Sequence, residues 1–255
     1  MISKTELAKY CAVRGLNLWQ VEKDYLQYLA LTFLSENGEA NLIFKGGTAL
    51  NKAYGLNRFS IDLDFTDTGN GSISPAMGKI ARNINDFGYP TELKELKTIG
   101  KTYVLKIKGP LYENSPVSVS SLRIEISQRE TVLLEPNLKE ILPVYQDLRP
   151  YIIKVMNEAE ILAEKVRAIM TRNRPRDAFD LQFLIRRNVK FDTDLINKKL
   201  TYYEKKYDAK KFVEQLKKLQ HAWEKELKSY VNNLPSFESV FTEITKCVDE
   251  QTRNE

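Results

Sequence analysis

Leu18, Val21, Tyr25, Leu29 and Phe33 recur at spacings of three and four, an apolar stripe that predicts a helix running to Glu36-Asn37-Gly38. The apolar run Leu42-Ile43-Phe44, the pair Gly46-Gly47 and a helical pattern from Thr48 to Tyr54 with Gly55 as its stop read as strand, tight turn, helix. Arg58 to Phe65 then alternates, with Phe59, Ile61, Leu63 and Phe65 on one side and Ser60, Asp62 and Asp64 on the other, the period of a strand. Ser74-Pro75 signals a helix start, continuing to about Phe87. Tyr103, Leu105 and Ile107 alternate again, Gly109-Pro110 interrupts, and Val117 to Ile126 reads as the return strand of an antiparallel pair.

Beyond Pro143 and Pro150 the pattern becomes helical and nearly free of glycine. One helix spans about Met156 to Arg172 and stops before Arg174, because the residue preceding Pro175 disfavours helical geometry. A second starts near Arg176, and two or three more, rich in Lys and Glu, run from about Leu195 to Val248. The expected fold class is α+β: a mixed sheet with helices over residues 1–150, followed by an all-helical region over residues 151–255.

Composition narrows the chemistry. The 255 residues include two cysteines, Cys11 and Cys247, and one histidine, His221, which leaves no disulfide framework, no cysteine-rich zinc site and a poor basis for a histidine-dependent nucleophile. Carboxylates are the remaining candidates. No apolar run is long enough to span a membrane and the first residues lack the order of a signal peptide, so the expected location is cytoplasmic. The net charge of +5 is uneven: Lys190 to Tyr230 holds 11 lysines against seven Asp and Glu, with Tyr202, Tyr203, Tyr207 and Trp223 among them. Such a segment reads either as a bed for RNA with rings for stacking or as a plain amphipathic bundle.

Acids at i and i+2 of a strand point to one side with Cα atoms roughly 6.5–7 Å apart, close enough to share divalent cations. Asp62 and Asp64 have that spacing, at a cost in β propensity that folding alone does not require. Upstream, Gly46, Gly47 and Thr48 stand between a strand and a helix start, where backbone N–H groups converge on phosphate oxygens. The combination points to a triphosphate and its metal ions. Glu125, flanked by Ile124 and Ile126, lies on the polar side of its strand, either completing a three-carboxylate cluster for Mg²⁺ or pairing with a lysine such as Lys106. Lys165, Ala168 and Arg172 share a helix face on which a small residue separates two cations, leaving room for a triphosphate; the alternative is a solvated face with Glu160 and Glu164 as partners. Asp177 and Asp180 either cap the next helix or anchor Lys165 or Arg172.

Phe44-Lys45-Gly46-Gly47-Thr48-Ala49-Leu50 followed by Arg58-Phe59-Ser60-Ile61-Asp62-Leu63-Asp64-Phe65 resembles the signature of the AbiEii/AbiGii toxin family, a branch of the DNA polymerase β-like nucleotidyltransferases. Lys165-x-x-Ala168-x-x-x-Arg172 resembles the family's second motif, Arg176-Asp177-x-x-Asp180-Leu181 its third, and Glu22-Lys23-Asp24-Tyr25 its N-terminal pattern. The resemblance implies a nucleotidyltransferase-type sheet and a helical region that completes the active site. It also implies a toxin of a toxin–antitoxin or phage-defence system, acting by nucleotide transfer from NTP with Mg²⁺ or Mn²⁺, onto a tRNA 3′ end as in several relatives. On that reading Asp62, Asp64 and Glu125 hold metal, Gly46, Gly47, Thr48 and Arg172 bind nucleotide, Lys165 grips the triphosphate, and Asp177 and Asp180 support it. The expected partners are NTP, tRNA or another RNA, and an antitoxin protein. The alternatives are nucleotidylation of a small molecule or protein, or a non-catalytic nucleotide-binding protein.

Overall fold

In the computed structural model, residues 1–37, 41–69, 73–98 and 100–254 are described. The chain divides into two compact units. The first comprises Met1–Tyr54, Phe59–Thr131 and Pro136–Val155, and the second Gly55–Arg58, Val132–Glu135 and Met156–Glu255.

The first unit opens with helix α1 (Lys4–Arg14). It starts at a reciprocal cap in which Ser3 Oγ accepts from the Glu6 N–H and the Glu6 carboxylate accepts from the Ser3 N–H, and it closes on Gly15 at φ 62°. Helix α2 (Leu18–Asn37) follows, carrying the stripe of Val21, Tyr25 and Leu29, all fully buried. Strand β1 (Leu42–Lys45) leads directly into α3 (Gly46–Tyr54), and β2 (Leu63–Asp67) into α4 (Ile73–Asp86). The remaining strands are β3 (Thr91–Lys97), β4 (Lys101–Ile107), β5 (Ser120–Ser127), β6 (Asn137–Ile141) and β7 (Tyr151–Val155). They form one seven-stranded sheet in the order β3-β4-β5-β2-β1-β7-β6. The sheet is mixed: β2 runs parallel to β5 and antiparallel to β1, β1 runs parallel to β7, and the pairs β3/β4, β4/β5 and β6/β7 are antiparallel. The expected antiparallel partnership of the Tyr103 and Ile126 strands is present as β4/β5.

The second unit is helical. Helix α5 (Glu158–Thr171) is capped by Asn157, whose side chain accepts from the Ala159 N–H at 3.0 Å, and α6 (Pro175–Arg186) begins with proline at its first position. Then come α7 (Thr193–Thr201), α8 (Ala209–Lys218), the short α9 (Trp223–Leu227) and α10 (Phe237–Asn254). Lys199 is fully buried and bridges Glu160 at 2.6 Å and Glu164 at 3.3 Å. Glu160 also accepts from the N–H groups of Leu133 and Leu134, fastening that outlying segment to the helices. Among the described residues no helix is long and apolar enough to cross a membrane.

Three expectations about the elements need correction. The region expected to be all-helical from residue 151 opens with strand β7 (Tyr151–Val155), which pairs in the sheet of the first unit. The strand predicted over Arg58 to Phe65 begins only at Leu63, so Asp62 and Asp64 are not alternate residues of one strand. The helix predicted from Thr48 begins at Gly46. Residues 69–75 are rich in Gly and Ser in the sequence, and of these 70–72 lie outside the described residues, as does Gly38.

Candidate functional site

In the first unit, β-sheet register places Asp64 at the centre of a row. Its cross-strand partners are Lys45 on β1 and Glu125 on β5, and partners in register present side chains to the same side. Asp64 thus has a cation on one flank and a second carboxylate on the other. Gly46, next to Lys45, has φ +75°, and a Cβ there would stand 2.5 Å from Asp64 Oδ2. The backbone at the start of α3 therefore lies against the Asp64 carboxylate, which only glycine permits. Lys45 Nζ is 3.7 Å from the buried carboxylate of Glu130, and Glu125 pairs with Arg123 at 2.7 Å.

Asp62 is positioned by other means. The Thr48 hydroxyl on α3 donates to the Asp62 carbonyl, and the Gln27 amide on α2 donates to the carbonyls of Ser60 and Ile61, both at 2.8 Å. Side chains thereby occupy carbonyls that a strand ladder would otherwise use, which is why the alternation beginning at Arg58 does not become strand until Leu63. Lys23 on α2 donates to the Ser121 carbonyl of β5. Burial pushes its ammonium pKa down, opposed by the charges of Glu22 and Asp62. Burial also raises the Glu22 carboxyl, which accepts from the Leu111 N–H at 2.8 Å. Asp24 turns elsewhere, to Lys52, Arg14 and Tyr145.

In the second unit, Asp177 and Asp180 are fully buried on α6 and share three cations. Lys165 Nζ lies 3.1 Å from Asp177 and 2.7 Å from Asp180, Arg172 holds Asp177 with two hydrogen bonds at 2.9 and 3.0 Å, and Arg58 holds Asp180 with two at 2.7 and 2.8 Å. Burial opposes ionisation of both acids, but the adjoining cations outweigh it and hold both carboxyls below the usual carboxylate range.

A family model describing the nucleotidyltransferase AbiEii toxin of a type IV toxin–antitoxin system matches residues 29–243. The chain belongs to the AbiEii nucleotidyltransferase toxin family. It is similar in structure to MenT4, a nucleotidyltransferase toxin from Mycobacterium tuberculosis H37Rv, with a TM-score of 0.70 and 18% identity, over 97% of this chain and 88% of that one. It is also similar to JHP933 from Helicobacter pylori, with a TM-score of 0.59 and 21% identity, over 94% and 97% of the two chains. Among curated proteins no sequence matches significantly.

Placed on this AbiEii chain, the residues expected from sequence fall into two sets. Gly46, Gly47, Thr48, Asp62, Asp64 and Glu125 belong to the first unit, and Lys165, Arg172, Asp177 and Asp180 to the second. Asp177 does not cap α6; Arg174 occupies that position, without a side-chain hydrogen bond. Arg172 lies just past the end of α5 in extended geometry rather than on its face. Glu160 and Glu164, the alternative partners weighed for Lys165, are taken by Lys199. Two residues were missed as site elements: Arg58, whose place just before an acidic motif was the available signal, and Gln27, which no sequence pattern distinguished. Of the rings named in the basic C-terminal stretch, Trp223 is buried, whereas Tyr202, Tyr203 and Tyr207 are half-buried. Trp223 is buried against Phe237 and donates to the Pro235 carbonyl, while Tyr207 packs on Phe191 and Phe212.

Among the described residues no group of three or more His, Cys, Asp or Glu side chains is gathered to hold a metal. Asp62 and Asp64, two residues apart in the first unit, offer two carboxylates. Mg²⁺ characteristically takes one or two carboxylates from the protein and completes its octahedron with substrate phosphates and water, so two acids suit a metal that arrives with a triphosphate.

Proposed function

We propose that this AbiEii toxin transfers a nucleotide from NTP to a hydroxyl of an RNA acceptor, a tRNA 3′ end, with Mg²⁺ or Mn²⁺ held by Asp62 and Asp64. The observation that carries the reading is the row Lys45–Asp64–Glu125 with the Gly46 backbone set against the Asp64 carboxylate. It combines acids for a metal with a glycine-rich helix start suited to phosphate. The metal supplies charge neutralisation of the triphosphate and activation of the attacking hydroxyl. Gly47 and the backbone N–H of Thr48 receive phosphate oxygens, while the Thr48 hydroxyl holds the Asp62 carbonyl. Glu125, on leaving Arg123, serves as the third carboxylate or as the base that accepts the hydroxyl proton. In the second unit, Lys165 and Arg172 are the cations the sequence reading assigns to a triphosphate, and Asp177 and Asp180 fix Lys165.

An antitoxin protein is the expected partner, in keeping with the type IV toxin–antitoxin description of the family, and the cytoplasm the expected location. A second reading, nucleotidylation of a small molecule or protein, draws support from the burial of Trp223 and the packing of Tyr207, which remove rings from the surface proposed for RNA stacking. Incubation with each of the four labelled NTPs, offered total tRNA or a metabolite and protein extract, separates the two. Label on RNA supports the first reading, and label only in the extract supports the second.

A further inference from the structure

We infer that Gln27 is a positioning residue for nucleotide transfer, clamping the segment that presents Asp62; the inference rests on the reading of Asp62 as a metal ligand. Gln27 is buried in α2, at 1% exposure, and is remote in sequence from every motif residue it serves. A primary amide carries two N–H donors, and those of Gln27 go to two successive carbonyls, Ser60 and Ile61, each at 2.8 Å. The next carbonyl, that of Asp62, accepts from the Thr48 hydroxyl. Three consecutive carbonyls of a non-strand segment are thus held by side chains from two helices, and regular β-pairing resumes at Leu63.

This arrangement answers a geometric need. Asp62 cannot take its orientation from the pleat, as Asp64 does, because it precedes the strand. Its backbone must be fixed in some other way if both carboxylates are to meet one ion. A metal ligand freed to move by about 1 Å costs roughly a hundredfold in rate, and loss of the group that orients a ligand typically costs about 10–100-fold in metal affinity. Lys23, one turn earlier on α2, reaches the Ser121 carbonyl of β5, so the same stretch of helix fastens both the Asp62 segment and the strand carrying Glu125.

The test uses the full chain with Gln27→Glu, which keeps size and polarity but loses the donors when ionised, and Gln27→Met, which removes them outright. Asp62→Asn is the reference. Mn²⁺–tripolyphosphate, a base-independent stand-in for a metal–NTP complex, is titrated against each by water-proton relaxation. Transfer of labelled nucleotide to total tRNA gives kcat and KM. For the Gln27 variants we expect affinity for the complex to fall about tenfold and kcat about a hundredfold, with KM for metal–NTP rising by no more than that tenfold, at temperatures where circular dichroism shows a folded protein.

Lower melting temperature with unchanged affinity and kcat would overturn the inference, since a residue serving the fold alone behaves that way. So would failure of both variants to fold, which would make Gln27 a requirement of the fold. Loss of binding in Asp62→Asn beside wild-type binding and kcat in Gln27→Glu would overturn the positioning role alone. Wild-type binding by Asp62→Asn would instead overturn the metal reading and, with it, this inference.

Discussion

Replacing Lys165 by methionine separates two explanations of the buried cluster in the second unit. Three cations, Arg58, Lys165 and Arg172, serve two carboxylates, and each carboxylate has an arginine of its own with paired hydrogen bonds. Lys165 lies between them, touching both acids. Removing it leaves Asp177 with Arg172 and Asp180 with Arg58, and also removes the desolvation cost of a buried ammonium. The net loss should be about 1–2 kcal/mol. Asp180→Asn, at nearly constant volume, instead strips the counter-charge from Arg58 and half of that from Lys165, both buried. Breaking a buried pair from one side costs about 3–5 kcal/mol. For a chain of this size each kcal/mol moves the midpoint by roughly 2–4 °C, so thermal melts should place Lys165→Met about 2–8 °C below wild type and Asp180→Asn about 6–20 °C below.

Nucleotide transfer should nonetheless fall at least about tenfold in Lys165→Met, the effect of roughly 1.4 kcal/mol of lost transition-state stabilisation. A deficit in kcat locates the contact in the transition state, and one in KM in the ground state. Equal destabilisation by the two substitutions would refute the argument that Lys165 is the surplus cation. Full activity in Lys165→Met would refute its role at the triphosphate.

Asp64→Ala should abolish transfer with little change in melting temperature, because relief of repulsion from Glu125 offsets the lost attraction of Lys45; a large loss of stability would make Asp64 structural. Gly46→Ala should lower the melting temperature by about 2–8 °C, from roughly 1–2 kcal/mol of left-handed strain, and should cut activity by displacing the Asp64 carboxylate, whereas a wild-type melt with full activity would contradict the close approach. The Asp177 and Asp180 carboxyls are depressed in the folded protein, so their stabilisation is complete above the unfolded carboxyl pKa of about 4 and is lost as pH falls through the folded values. Chemical denaturation should accordingly show the gap between wild type and Asp180→Asn narrowing below about pH 4, and a gap that stays constant would argue against the depression.

The parts of this fold legible in sequence are those in which periodicity and burial agree. Helix α2 announces itself through Val21, Tyr25 and Leu29, and the β4/β5 pair through Tyr103, Leu105 and Ile107 facing Ile124 and Ile126. Strand β3 was not legible, because Thr91 to Lys97 is an edge strand dominated by charge and its pairing with β4 is tertiary. Helix α1 could have been read from Ser3 and Glu6, a capping box in plain view, although its stripe is weak. The alternation at Arg58 to Phe65 misled for a physical reason: Gln27 and Thr48 capture carbonyls that a ladder needs, and such distant side-chain donors leave no local trace. The same applies to the candidate site. Asp62, Asp64 and Asp180 stood out as acids at suggestive spacings, but the partnership of Arg58 with Asp180 spans 122 residues and could be found only in three dimensions.

The most direct test of the central claim is to incubate the purified chain with Mg²⁺, total tRNA and each of the four α-³²P-labelled NTPs, alongside Asp62→Asn and Asp64→Ala. The account predicts label on the tRNA with at least one NTP, abolished by EDTA and by either substitution. Label that persists in both variants, or no label on tRNA from any of the four nucleotides with the wild-type protein, would contradict it.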